Sequence, residues 1–298
     1  MAPRWRRCPE CNTLEYLNPQ PPEDINVSEK HPLRDFFSLA LAVVALAAGL
    51  TAVLALAAQW IAPRVPFSVE EQVAAPYVKS LHDGGEAQSY LQALADRLAR
   101  AQGLPRDIGV RVHYEDGPVV NAFATLGGHI VIHAGLIAAM PDENSLAMVI
   151  AHEVAHVHHR HPVQAMGRGL AIGVMLSAVS SGIGGSVASR TMGDAGLLTA
   201  LVFNRAQEEQ ADATALRSLA GVYGHVGGAG ELFRRMRESV DMPQPPKLLS
   251  THPLTDERIA RIGMLARENG WSEEGARTPL PDFLRKLADN DSKVKNRE

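Results

Sequence analysis

The sequence predicts an α+β fold, mainly helical with a small sheet, preceded by one transmembrane helix. Three observations carry that expectation. A long uncharged stretch lies near the N-terminus, later segments repeat their apolar residues at helical spacing, and two short runs between them alternate like strands. With 298 residues the chain can bury one good-sized core. A net charge of -4, built from interspersed acidic and basic residues, supplies no basic field for nucleic acid, which is excluded as a partner.

Residues 1–35 are polar and Pro-rich and read as a tail without a core of its own. The tail holds both cysteines, Cys8 and Cys11, so no disulfide framework can staple the main body. Cys-x-x-Cys is half of a zinc knuckle, and only His31 is nearby as a further ligand. Two free thiols and a metal shared between two chains both remain open. From Phe36 to Ala62 no residue is charged, and as a helix this run would be about 40 Å long, enough to cross a bilayer with some tilt. The polar residues ahead of it and its length favour an uncleaved signal anchor over a cleaved signal peptide. Arg4, Arg6, Arg7, Lys30 and Arg34 precede the run, whereas only Arg64 and Lys79 follow closely. The positive-inside bias puts the N-terminus in the cytoplasm and everything after Ala62 in the periplasm of a single-pass inner-membrane protein.

Beyond the anchor, Leu91, Leu94 and Leu98 fall at helical spacing between Glu86 and Gly103, with Gly103 and Pro105 as stop signals. Ile108 to Tyr114 and Gly128 to His133 read as strands. A helix starting near Pro141, acidic in its first turn, carries AHEVAHVHHRH. The uncharged, Gly- and Ser-rich segment from Gly169 to Ser189 reads as a buried or membrane-skimming hairpin rather than a second span. Helices around Arg205 to Ala220 and Ala229 to Ser239 follow, and a polar tail, 271–298, ends the chain.

Five of the twelve histidines lie between Ala151 and His161. Within them His152-Glu153-Val154-Ala155-His156 is a complete H-E-x-x-H. Residues i and i+4 share a helix face, so both imidazoles can reach one zinc ion, with Glu153 beside the open position as general base. A third ligand is needed, and the residues after His156 lack the Gly-x-x-His ending that would supply one. On the later helix Glu208 and Asp212 stand at i, i+4: one carboxylate for the metal, and one to orient a ligating histidine through its other ring nitrogen. Glu209 lies about 100° around that helix and faces solvent. A metal bound only by the density of histidine would instead be one of several weakly held ions.

Four ordered stretches, NAFATLGGHIVIHAGLI (Asn121 to Ile137), AHEVAHVHHRH, RAQEEQAD (Arg205 to Asp212) and STHPLTDERI (Ser250 to Ile259), resemble the membrane-associated zinc metallopeptidases. That family includes the CAAX prenyl endopeptidase, the heat-shock protease HtpX and the mitochondrial and periplasmic quality-control proteases. The resemblance covers roughly Glu86 to Gly263 and implies a zincin-type peptidase domain over 63–270. Its E-x-x-A-D pattern supports Glu208 as ligand. Thr251-His252-Pro253 matches a Ser/Thr-His-Pro segment close to the active site in relatives, which implies that His252 stabilises an oxyanion or caps the zinc in a resting state. Read alone, His252 is also a turn histidine beside a proline. The resemblance further implies that Asn121 to His133 is an edge strand along which peptides lie, and that His161 caps the end of the metal helix. His158 and His159 read as a solvated face, and Arg205 and Arg258 as either active-site charges or helix-face cations, the second being the favoured reading.

These readings converge on a membrane-anchored zinc endopeptidase with one Zn²⁺ per chain, acting on unfolded or misassembled proteins. Glu153 and His252 are its catalytic candidates. The lipid bilayer is its partner through residues 36–62, and a homo-oligomer is compatible with the sequence. The alternatives are a zinc-stabilised chaperone or assembly factor with little proteolysis, against which the intact Glu153 argues, and a membrane scaffold whose histidines scavenge metal.

Overall fold

The computed structural model describes residues 4–7, 14–17, 31–81, 84–169, 203–231, 234, 248, 252 and 256–287. It divides into two units, Met1–Leu50 and Thr51–Glu298. In the first, β1 (Arg4–Arg7) and β2 (Leu14–Leu17) form an antiparallel ladder in which Arg4 faces Leu17 and Arg7 faces Leu14. The tail, expected to have no core of its own, therefore carries a ladder of two short strands. Cys8 and Cys11 lie outside the described residues. Helix α1 (Pro32–Ile61) has a mean hydropathy of 2.6 over its most apolar 18 residues, is long and apolar enough to cross a membrane, and leaves Leu41 and Leu46 exposed.

In the second unit, α2 (Phe67–Val78) precedes α3 (Gly85–Ala101), whose Leu91, Leu94, Ala95 and Leu98 form a buried stripe at 3–4-residue spacing. A three-stranded sheet follows, made of β3 (Arg111–Glu115), β4 (Ala122–Ala124) and β5 (His129–His133) in the order β3-β5-β4. β5 is parallel to β3 and antiparallel to β4. The expected edge strand from Asn121 to His133 is thus two strands, folded back through the Leu126-Gly127-Gly128 turn. There Gly128 has φ +73° and a Cβ would collide with the Gly109 carbonyl. The buried, wholly apolar Ile130-Val131-Ile132 takes the centre, and β4 takes the edge. The outer edge of β3 is covered by Gln92, whose side chain accepts from the Val112 amide at 2.8 Å and donates to the Val110 carbonyl at 3.0 Å.

After α4 (Ala134–Ala139) comes α5 (Glu143–His158), buried on every side from Glu143 to Val157 because SLAMVIAHEVAHV offers no polar face. Asp142 caps it by accepting from the Ser145 amide at 2.8 Å. Glu143, buried in the first turn, accepts from Tyr223 Oη at 2.7 Å and also from Tyr90 Oη, and pairs with Arg97. A further helical stretch, 161–169, follows α5, and the expected hairpin beyond Gly169 lies outside the described residues but for its first residue.

Helix α6 (Arg205–Tyr223) packs against α5 and α3. It begins with a reciprocal capping box, Asn204 with Gln207, and ends at Gly224, whose φ of +75° is the left-handed stop glycine adopts at least cost. The helix expected around Ala229 to Ser239 lies mostly outside the described residues. Helix α7 (Asp256–Glu268) follows. Residues after 270 do not begin a free polar tail. Leu280 and Leu284 are buried in the main core, the Glu143 amide donates to the Thr278 carbonyl at 2.8 Å, and the Thr278 amide donates to Asn144 Oδ1 at 2.8 Å. The packed domain therefore runs at least to residue 284, since Leu280 and, in a short helix over 282–287, Leu284 bury apolar area in the main core.

Candidate metal centre

Helix α5 presents His152 and His156 one turn apart, and their Nε2 atoms are 2.9 Å from each other. Helix α6 brings Glu208 against both, with Oε2 3.5 Å from His152 Nε2 and Oε1 3.4 Å from His156 Nε2. His252 closes the group, its Nδ1 2.9 Å from Glu208 Oε1 and 3.3 Å from His152 Nε2. One donor atom from each of the four residues lies within 4.8 Å of the others, and all four residues are buried. A tetrahedral ion with bonds of 2.0–2.1 Å separates its donors by about 3.3–3.4 Å, so this spacing and the N,N,O donor set fit zinc. Two buried atoms, Glu153 Oε1 and His252 Nε2, have no hydrogen-bond partner among the described residues and lie 3.5 Å apart. The other Glu153 oxygen is fixed: Oε2 accepts the Ala124 amide of the edge strand at 2.7 Å.

Behind His152 stands Asp212, whose Oδ1 is 2.9 Å from Nδ1. Arg258, expected as a helix-face cation, is instead only 5% exposed, because it neutralises two buried carboxylates at once. Its Nε and Nη2 make paired 2.9 Å bonds to Asp212, and Nη1 lies 2.7 Å from Glu208 Oε2. Arg205 matches its expectation, exposed and paired with Glu209 and Glu257, and Glu209 is partly exposed between Arg205 and Arg261.

The electrostatics of the group favour a cation at its centre. Burial alone would raise the Glu208 carboxyl, but the His252 imidazole and bonds to His152, His156 and His252 hold it far below the usual carboxylate range. Asp212 is likewise lowered against its burial by His152 and Arg258. Burial would lower His152, yet the Asp212 and Glu208 carboxylates raise it to about 10. His156, buried beside His152, is lowered well below its ordinary value.

The remaining histidines of the stretch are not spectators. His159 bonds Thr214 Oγ1 at 2.9 Å and Gln210 Nε2 at 3.1 Å, so it is a contact between α5 and α6 rather than a solvated residue. His158 is half-buried and stacks on His159. His161 does not cap α5. Arg160 turns the chain with φ +57°, and His161 starts the next helical stretch with its Nδ1 2.9 Å from His156 Nδ1 and its Nε2 3.3 Å from Gln210 Oε1. Phe203, unmarked in the sequence, stacks on His156 with ring centroids 3.9 Å apart.

Three histidines held neutral by burial make the fold acid-sensitive: His129, lowered to about 4 with help from His113 and Arg111, His159, lowered to about 4, and His161, lowered to about 3. Their unfolded values lie near 6.5, so the unfolded chain takes up protons first as pH falls. The stability these three contribute is complete above 6.5 and is lost from there down to about 3. Thermal melts followed by circular dichroism should show the midpoint falling across that window, and less steeply in His129→Phe.

A family model described as Peptidase family M48 matches residues 86–266, more than half of the chain. Three relatives illustrate the likeness. A protease HtpX homolog of Acidiphilium cryptum is 30% identical over 220 residues, covering 59% of this chain and 74% of its own. The mitochondrial metalloendopeptidase OMA1 of Schizosaccharomyces pombe is 30% identical over 176 residues, covering 58% and 51%. The beta-barrel assembly-enhancing protease of Escherichia coli is 31% identical over 152 residues, covering 47% and 31%. The chain spans about a third of the length of the beta-barrel assembly-enhancing proteases it matches.

Proposed function

The chain belongs to peptidase family M48, and from that premise we propose that it is a membrane-anchored zinc endopeptidase that hydrolyses misfolded or unassembled proteins. The observation that carries this reading is the convergence of His152, His156 and Glu208 on one buried point with Glu153 beside it. Those three residues would hold the zinc, which when bound supplies a Lewis acid for the scissile carbonyl and lowers the pKa of the attacking water.

The chain's own groups divide the remaining work. Glu153, with one oxygen pinned by the Ala124 amide, takes the proton of the attacking water on Oε1 and returns it to the leaving amine. An extended peptide pairs along the open edge of β4, which places its carbonyl next to Glu153 and gives affinity with little sequence selectivity. The β3 edge, covered by Gln92, is closed to such pairing. His252 has two positions to serve. Its Nδ1, 2.9 Å from Glu208 Oε1, would cap the donor group in a resting state, and its imidazole would stabilise a developing oxyanion if it turned toward the substrate. Asp212 orients His152, and Arg258 keeps both carboxylates charged.

The anchor is α1, with the 1–35 tail in the cytoplasm, as the basic residues ahead of it favour, and the peptidase domain on the periplasmic side of the inner membrane. Trp60 at its end, with the Arg64 guanidinium 3.8 Å over the ring, suits the polar boundary of a bilayer. Protein substrates of this kind accord with relatives whose names cite a protease and the enhancement of beta-barrel assembly.

The full chain in detergent should carry about one zinc and digest casein, and lose both with a strong chelator, activity returning with zinc. One tight zinc without cleavage would favour the assembly-factor reading, and several weakly held ions the scavenging scaffold.

A further inference from the structure

We infer that His161 is a positioning residue of the metal centre, accepting the Nδ1 proton of His156 so that the bare His156 Nε2 faces Glu208 and His152. The inference rests on the zinc reading above and concerns residues outside the four-donor group. Its basis is a chain of contacts whose directions all follow from the Gln210 amide, turned with its oxygen toward His161 and its nitrogen toward His159. His161 Nδ1 is 2.9 Å from His156 Nδ1, His161 Nε2 is 3.3 Å from Gln210 Oε1, Gln210 Nε2 is 3.1 Å from His159 Nδ1, and His159 Nε2 is 2.9 Å from Thr214 Oγ1.

Two ring nitrogens in contact need one donor and one acceptor, and a neutral imidazole has one of each. The Gln210 carbonyl oxygen only accepts, so His161 donates from Nε2 and its Nδ1 is bare. His156 must then donate from Nδ1, which leaves its Nε2 bare and turned into the donor group, the form a metal requires. At the far end the Gln210 amide donates to His159, whose other nitrogen donates to Thr214. Turning the Gln210 amide over would reverse every bond and put a proton on His156 Nε2. The two ligating histidines are thus supported differently, His152 by the Asp212 carboxylate and His156 by a neutral imidazole.

The backbone is built to deliver this ring. Arg160, at φ +57°, occupies a region that costs a non-glycine residue energy unless its surroundings impose it. Here Arg160 Nε donates to Glu70 Oε1 at 2.7 Å and Nη2 to the Val65 carbonyl at 2.8 Å, while Glu70 Oε2 accepts from the Gly127 amide at 3.2 Å. Helix α2 thereby holds the turn that brings His161 back over His156, three residues after α5 has ended.

Equilibrium competition for zinc between the full chain and a chromophoric chelator tests this. His161→Phe keeps a ring against Phe203 but cannot accept, and should weaken zinc binding by about 10- to 100-fold. His161→Asn retains an acceptor oxygen near the Nδ1 position and should restore most of that loss, which a purely packing role would not predict. Should His161→Phe fail to fold by circular dichroism, Gln210→Leu, at an exposed position, breaks the same chain and should weaken zinc several-fold. Zinc bound by the wild type but held as tightly by His161→Phe, or by Gln210→Leu where that variant replaces it, would overturn the inference alone. So would an Asn variant as weak as the Phe variant. A wild-type chain that bound no zinc would overturn the peptidase reading and this inference together.

Discussion

Glu153→Gln is expected to cut casein hydrolysis by at least about a hundredfold while one zinc stays bound per chain. General acid–base catalysis by a positioned side chain contributes about 10²- to 10⁴-fold, and glutamine can neither take nor return the proton. The substitution is close to isosteric, and the amide oxygen can still accept from the Ala124 amide that holds Glu153 Oε2 at 2.7 Å. Fold and edge strand should therefore persist, leaving the loss in kcat rather than in substrate affinity. Zinc analysis, a thermal melt and initial rates on casein check the three parts together. Undiminished turnover would remove Glu153 from the mechanism, and a loss of zinc would mean that its carboxylate belongs to the donor group instead.

Glu208→Ala is expected to empty the site and to destabilise the domain. Its carboxylate lies within 3.5 Å of His152, His156 and His252 and 2.7 Å from Arg258, all of them buried. Removing it takes away one of the three proposed ligands and one of the buried carboxylates that pair with Arg258, while the paired bonds to Asp212 remain. Breaking a buried charge pair typically costs about 3–5 kcal/mol. The variant should melt well below the wild type and retain no zinc after dialysis. Glu209→Ala, one residue along the same helix, should keep both zinc and stability, because Glu209 is a partly exposed partner of Arg205 and Arg261. The reverse pattern would place the other face of α6 against the site.

Both predictions rest on residues whose positions could be read from spacing. His152 and His156 at i, i+4 and Glu208 and Asp212 at i, i+4 share a face on any α-helix, whatever surrounds it. The apolar stripe of α3 and the wholly apolar centre of β5 were legible for the same reason. Misreadings came where the outcome depended on a partner distant in sequence. Arg258 sits on an amphipathic helix where a charged side chain faces water by default, and nothing near it in sequence signals the two carboxylates more than forty positions away. Leu280 and Leu284 are scattered among polar residues, so the chain after 270 read as a tail. His161 read as the end of a helix because Pro162 follows it, whereas Arg160 turns the chain and restarts it. One signal was available: an Arg-His pair directly after a ligand helix marks a residue one turn past His156.

Sequence alone determined which side chains are one helical turn apart, and so the paired imidazoles, the glutamate between them, the two carboxylates and the long apolar helix. Those properties follow from the 3.6-residue period and from local polarity, which need no tertiary contact. Tertiary structure decided that α6 lays its carboxylates against α5, that His252 and Arg258 close over them, and that His161 turns back onto His156. Such contacts depend on the packing of elements remote in sequence, and burial there reverses the ordinary preference of a charge or an imidazole for water.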